Sequence, residues 1–577
     1  MKKSRKAIAL VLSTLLTFGA AGSLVACGGG NGIKVDESTI VVKVRRAGFG
    51  TDWLYELKGK FEAAYAEQGY KVKIMTPDNS IKDDVMVKEL ALGYNKTKVD
   101  LYISSGATPN QVGELGDYKV IVEDLEESVY NKKAISYDGT EEEKTVREKI
   151  GEDVLQYMTD LTGKVYAYNW AQSSAGLVVN TRKLATYGLE MPKTTNEMFD
   201  CFDKILCGYN GVENSIESGT YPITYVSGGN GYGVCFLYAL MAQYGIDDWN
   251  TFWSFQTKND AGETVQLSDA ECQELFDDPM LYEMMKVAYK TFDLNIAAPG
   301  SASQGVDQAQ AKIMGDVDGA VFMFNGDWML NEVKLNYEDE LDEIDFINFP
   351  VLSAVGTKVF GAGTSYNFDD AKCEELLSFI IGLVDENKDI DDIVAAVKAE
   401  KNVDITADSA KQIAQSRGVT YARGPEHVAY VTKGTTKMDI VSLFLRMMAS
   451  DDYGETFRRV ANGTSPYCAR ENTTSQYDFV KNASKIPANQ YYSQVSTFGG
   501  LKGYRAKIGG SLLSMFTTKG HIPDYVASES DASIYTDVAT KNGKTDSVYA
   551  DAATKFLADE KANVIKNWAD YLESAGL

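Results

Sequence analysis

The chain has 577 residues, 44% hydrophobic, 24% charged and 11% aromatic, which is enough for a sizeable core shared between more than one domain. Its formal charge of −25 opposes nucleic acid and anionic lipid, and mildly disfavours phosphorylated or carboxylate ligands. Two histidines, His427 and His521, and cysteines without a CxxC pair argue against a zinc centre or a histidine-based triad. Neither a metal nor a cofactor is expected.

At the start, Lys2, Lys3, Arg5 and Lys6 precede an apolar stretch from Ile8 to Phe18. That stretch is too short for a comfortable permanent span and reads as a cleaved signal peptide over 1–26. Leu24-Val25-Ala26-Cys27 closes it. The quartet resembles a bacterial lipobox, which implies a diacylglyceryl group on the Cys27 sulfur and cleavage just before it. Two acyl chains would hold the protein on the outer face of the bacterial cytoplasmic membrane, with 27–33, rich in glycine, as a flexible tether. The alternative is an ordinary secreted protein with a chance cysteine. The other cysteines, Cys201, Cys207, Cys235, Cys272, Cys373 and Cys468, several in apolar runs, suit buried thiols, although this compartment also permits a disulfide.

Ile40 to Arg45 predicts a strand, and Trp53, Leu54, Leu57, Phe61, Ala64 and Tyr65 recur at helical spacing. Lys71 to Met75 predicts a second strand, Val85 to Leu92 a helix and Val99 to Ile103 a third strand. This alternation implies a parallel sheet covered by helices. The pattern restarts at Gly163 to Tyr168 and Gly176 to Asn180, both strand-like, and Thr194-Thr195-Asn196-Glu197 is a capping box opening an amphipathic helix through Leu206. Asp318 to Phe324 and Ile344 to Pro350 predict further strands. Val359 to Phe368, with Gly361, Gly363 and Thr364, reads as an extended segment able to return the chain to its first half. Helical runs follow at Cys373 to Val384 and Met438 to Met448. The polar stretch between them, with its own helical pattern at Ile390 to Val397, reads as an insertion. The tail from Ala552 to Leu572 is amphipathic.

Three segments carry a family resemblance. The first is Gly163-Lys164-Val165-Tyr166-Ala167-Tyr168, then Gly176 to Asn180, then Tyr187-Gly188-Leu189 and Pro192 to Phe199. The second is Gly319 to Trp328, and the third is Phe444 to Ser450 followed by Gly463-Thr464-Ser465-Pro466. In this order they resemble the extracellular solute-binding proteins of ABC importers, in the carbohydrate-binding group typified by maltose-binding protein. Val179 stands where that family usually has Tyr, and Asn196 where it usually has Trp. The resemblance implies an α/β, two-lobe periplasmic-binding-protein-like fold (type II), with lobes joined by hinge strands and closing on ligand. It places 34–150 plus 361–468 in the first lobe, with an insertion at about 385–437, and 151–360 plus 469–577 in the second.

A sugar offers apolar faces ringed by hydroxyls and suits aromatic platforms beside carboxylates and amides. Such residues stand where the family places cleft loops: Asp52, Trp53, Ser105, Thr108, Trp170, Tyr225, Asn230, Tyr232, Asp327 and Trp328. Each also has a purely structural alternative. Trp53 heads a helix with core periodicity, Asp52 and Asp327 can cap helices, and Ser105 and Thr108 suit turns. The loop Gly228 to Gly233 lacks GxGxxG spacing and a Walker lysine. Asp385, Asn387 and Asp389 imitate a calcium loop, but Ile390 and Ala396 replace its glycine and glutamate.

The resemblance implies a monomeric, non-enzymatic receptor that hands a neutral solute, an oligosaccharide foremost, to ABC transporter permease subunits. A glycoside hydrolase remains an alternative, since it needs only two facing carboxylates, and sugar release from a labelled polysaccharide separates the two. An adhesin or sensor subunit with the same fold is a third reading, for which the neighbouring gene discriminates.

Overall fold

The computed structural model describes residues 36–575 apart from 47, 76–82, 108, 116, 156–157, 161–162, 227–231, 260, 302, 420–426, 469–471 and 487–546. The leader, Cys27, the tether, Thr108 and Asn230 therefore lie outside the described residues. No helix among the described residues is long and apolar enough to cross a membrane.

Two separate sheets, each with its own apolar core, make two α/β lobes. In the first, β1 (Thr39–Val44), β2 (Lys71–Met75) and β3 (Leu101–Ile103) run parallel, as the strand-helix-strand alternation predicts. β1 is buried on both faces, with Ile40, Val41, Val42 and Val44 inside. Helices such as Asp52–Ala64 cover the sheet, so both faces of a central strand must be apolar. Its one lysine, Lys43, is tolerated because its ammonium pairs with Glu89. A small hairpin of β4 (Lys133–Ile135) and β5 (Glu141–Thr145) flanks this lobe. β6 (Tyr168–Asn169) joins its sheet at the far edge, giving the order β2-β1-β3-β13-β6, where β13 is Val428–Val431 and runs antiparallel to both its neighbours.

The second lobe holds the sheet β12-β7-β11-β8, from β7 (Ala175–Asn180), β8 (Thr220–Thr224), β11 (Gly319–Gly326) and β12 (Ile344–Ile347). β8 and β11 are parallel, and β7 is antiparallel to β11 and β12. A peripheral hairpin pairs β9 (Gln256–Lys258) with β10 (Thr264–Gln266). Helix Thr195–Cys207 starts where its Thr predicts, with the Thr194 hydroxyl accepting from Glu197 N. The capping box is only half made. Glu197 instead takes the Lys193 N–H at 2.7 Å and the Ser378 hydroxyl, tying this helix to its neighbour.

The lobe boundaries differ from those expected. Residues 361–419, assigned to the first lobe, belong to the second core, which includes Cys373, Leu376, Ile380, Ile393, Ile413 and Val419. The reason is local: 361–368 is a turn rather than an extended crossing, closed by Phe368 N donating to Phe360 O at 2.9 Å. It folds helix Asp370–Asp385 straight back on Ala354–Phe360. The helices at Ile390–Ala396 and Ala407–Arg417 are part of the same core and not an insertion. Arg417 grips Asp385 with two nitrogens at 2.8 and 3.0 Å, and Ser416 donates to Gln243 O at 2.7 Å. In the other direction, Leu155 to Ala171, assigned to the second lobe, packs in the first. Tyr130 donates to Ala167 O at 3.0 Å there.

The chain thus leaves the first lobe after Ala171, is back in it at His427, and reaches the second again by Phe479. The terminal helices Ser547–Lys566 and Trp568–Ala575 pack on the second lobe through Tyr549, Phe556 and Trp568. Cys201, Cys272 and Cys373 are free, buried thiols, and Cys235 and Cys468 are buried as well. Burial pushes the Cys201 and Cys272 thiols up to about 12, which makes them inert packing groups.

Candidate functional site

Parallel strands gather their carboxyl ends on one edge of a sheet, and loops leaving that edge form crevices. In the first lobe β1 and β3 end there, at Arg45 to Phe49 and Ser104 to Ala107. β13 enters antiparallel, so its first neighbour, His427, sits on the same edge: Ser104 N donates to Val428 O and Trp170 N to His427 O, both at 2.9 Å. In the second lobe β11 ends at Gly326 and delivers Asp327 and Trp328, while β8 leads to Tyr225. β7 begins beside Gly326, with Ala175 as its partner. The connection 171–174 therefore runs from one carboxyl edge to the other. It is steadied by an antiparallel bridge, Gln172 to Thr464, with N···O 2.8 Å. The two crevices face one another across a seam.

Trp328 fills the seam. It belongs by sequence to the second lobe, yet it packs with the first-lobe core and is 8% exposed. Its ring meets Phe49 edge-on at 6.3 Å, Tyr232 edge-on at 5.5 Å and His427 at 5.8 Å. Tyr232 touches both cores. Alongside, Asn331 donates to Ala461 O at 2.6 Å and accepts from Asn462 at 2.9 Å, a second polar tie between the lobes. The rim is pinned by Asp83, which pairs with Arg45 and takes the Ser104 hydroxyl at 2.7 Å and the Ser105 N–H at 3.4 Å.

Of the residues expected to meet ligand, the structure brings Tyr232, Asp327 and Trp328 together, with Ser105 half-buried on the rim. Asp52 is exposed in the first turn of helix Asp52–Ala64, where its charge complements the helix dipole. Three aromatic residues are packing groups instead. Trp53 and Trp170 stack at 4.9 Å and 15° inside the first lobe, their indole N–H groups spent on Gly50 O at 3.1 Å and Ser104 O at 2.7 Å. Such a stack stabilises by about 0.5–1.5 kcal/mol beyond its buried area. Tyr225 turns into the second core and donates to Phe292 O at 3.0 Å. Phe49 and His427 were not anticipated. Phe49 lies in the first loop to leave a parallel strand, and that position was its only signal.

Two polar atoms at the seam have no hydrogen-bond partner among the described residues: Asp327 Oδ1 and His427 Nδ1. Both side chains are over nine-tenths buried. Burial pushes the Asp327 carboxyl up to about 8 and the His427 imidazole down to about 3, so both are neutral at pH 7. Two cavities open elsewhere, of about 570 Å³ beside the β4–β5 hairpin and about 480 Å³ among the second-lobe helices. In their walls Lys149 pairs with Glu142 and Asp451, and Glu374 accepts from Thr194 and Asn196.

No family model matches the chain, and no curated protein matches it by sequence. Solved structures do. The chain is similar to the solute-binding protein RafE in complex with raffinose, at 14% identity and TM-score 0.48, covering 85% of this chain and 98% of that one. It is also similar to the GacH receptor of Streptomyces glaucescens, solved with acarbose, at 13% identity and TM-score 0.47, covering 90% and 98%. A third is a chitin oligosaccharide binding protein, at 12% identity and TM-score 0.48, covering 91% and 100%.

Proposed function

We propose that this protein is an extracytoplasmic receptor that captures a neutral, hydroxyl-bearing solute, an oligosaccharide foremost, between its lobes and presents it to the permease of an ABC importer. The observation that carries the reading is the seam itself. Carboxyl-end crevices of two lobes converge on Trp328, an aromatic surface suited to a sugar face, beside two buried polar atoms that no described residue satisfies. The Cys27 resemblance supports attachment through a lipid, with the permease as partner in the membrane.

Thermal unfolding against a panel of mono- and oligosaccharides tests the binding. A ligand at a hundred times its dissociation constant stabilises the fold by about 2.7 kcal/mol. Trp328→Ala should abolish the response to the hit. Retained affinity would remove the seam as the site. The mass of the protein purified from membranes should include acyl chains on a residue-27 amino terminus, and an unmodified cysteine there would refute the anchor.

A further inference from the structure

We infer that His427 and Asp327 form a lobe-bridging pair that opposes closure of the seam until a hydroxyl-bearing ligand completes both of their hydrogen bonds. This rests on the binding reading above and adds what makes closure depend on the ligand. His427 comes from the first lobe, with its ring 5.8 Å from that of Trp328, and Asp327 comes from the second, directly before Trp328 at the end of β11. The His427 ring lies against Trp170 at 5.0 Å, Phe49 at 5.2 Å and Trp328 at 5.8 Å, while its backbone O accepts from Trp170 N. The Asp327 backbone N–H is anchored on Ser174 O at 3.0 Å, in the connection between lobes, while its side-chain Oδ1 has no donor among the described residues.

When the lobes part, water reaches both atoms. When they close without ligand, each is buried unpaired, which lowers the closed:open ratio by roughly 5- to 150-fold per atom. A hydroxyl suits both because it donates and accepts on one atom, whatever tautomer the imidazole adopts. A carboxylate only accepts and an ammonium only donates, and either would bring an uncompensated charge among four rings. The pair therefore selects uncharged hydroxyl ligands and makes their arrival the event that closes the seam.

Small-angle scattering of the mature chain in sugar-free buffer tests this, using His427→Phe and Asp327→Leu, which keep volume and delete the unpaired atoms. The double variant should shift towards the lobes-together form, with a smaller radius of gyration than wild type, and lose at least tenfold in affinity for the sugar hit. His427→Gln, which keeps a hydrogen-bonding group, should scatter like wild type and is the control for folding. An unchanged or larger radius in the double variant, with wild-type melting, overturns the inference whether or not any sugar binds. A smaller radius with no wild-type response to any sugar overturns the ligand half, and with it the receptor reading, while leaving the closure penalty in place.

Discussion

A methyl group at Gly48 should hold the lobes apart. A Cβ there would lie 2.4 Å from Trp328 Cδ1, 2.7 Å from Cγ and 2.8 Å from Cβ. Non-bonded carbons settle at about 3.5–4.0 Å, so the indole must withdraw by about 1 Å. It has no room to do so. On its other side the ring lies 2.3 to 2.4 Å from where a Cβ at Gly326 would stand, and Phe49 and Tyr232 close its edges. The three atoms nearest the new methyl all belong to Trp328 of the opposite lobe. The strain is therefore relieved most cheaply by parting the lobes, with both cores intact. Overpacking of this kind costs about 1–3 kcal/mol. Charged to the closed state alone, that lowers the closed:open ratio, and with it ligand affinity, by about 5- to 150-fold. Scattering of Gly48→Ala should show a larger radius of gyration, and titration with the sugar hit should show the weakened affinity, while the melting temperature without ligand stays close to wild type. A Gly48→Ala chain with wild-type scattering and affinity would refute the claim that Trp328 is clamped between the lobes.

Two further outcomes follow from buried charge. Lys437→Met should destabilise the first lobe by about 3–5 kcal/mol in urea, because it strands Asp100, a fully buried carboxylate. Lys437 now reaches that carboxylate at 2.9 Å and Thr39 O at 2.7 Å, and a loss below 1 kcal/mol would show that the ion pair is not what holds β13 to β1 and β3. Asp327→Asn should change how stability depends on pH. With its pKa raised to about 8, Asp327 keeps in the folded state a proton that the unfolded chain has lost above about pH 4. Folded wild type thus holds more protons than unfolded, and its stability relative to Asn must fall as pH rises, by up to about 1.4 kcal/mol per unit between pH 5 and 8. A wild-type minus Asn difference that is flat over that range would place Asp327 in water.

Much of the fold was legible because burial leaves a period in the sequence. Trp53, Leu54, Leu57 and Phe61 predict the helix that covers the first sheet, and all four are in the core. The same periodicity marks Trp53 as a packing residue, and it outweighs the attraction of a tryptophan near a loop. What was not legible depended on partners distant in the chain. β13 is four residues, Val428–Val431, beside a polar stretch, and only its pairing with β3 and β6 makes it a central strand. Missing it put His427 in an insertion and moved the lobe boundary by about sixty residues. Glycines at 361 and 363 suit both a hinge and a tight turn, and the turn is chosen by Phe360, Tyr366 and Phe368 packing on the second core, a contact no local pattern announces. Trp328 was legible for the opposite reason. A large ring directly after Asn325-Gly326-Asp327 stands at a strand end, where rigid backbone stops and side chains face whatever lies beyond.

Strand ends also explain why a chain of net charge −25 can keep an electrically neutral seam. Phe49, His427, Asp327 and Trp328 all stand within five residues of a strand terminus. They are held by sheet ladders they do not belong to, so their chemistry can differ from the surface without disturbing either core. The acidic surface neither steers nor repels an uncharged solute. Discrimination is then left to the seam, where anything charged must surrender its water to aromatic rings. The bridge from Gln172 to Thr464 and the ties through Asn331 oppose separation by hydrogen bonds, and those groups can bond to water once exposed. Opening therefore costs little beyond the burial of Trp328 and Phe49. Closure is nearly balanced on that apolar contact against two unpaired polar atoms, which is the condition for a ligand of ordinary affinity to decide it.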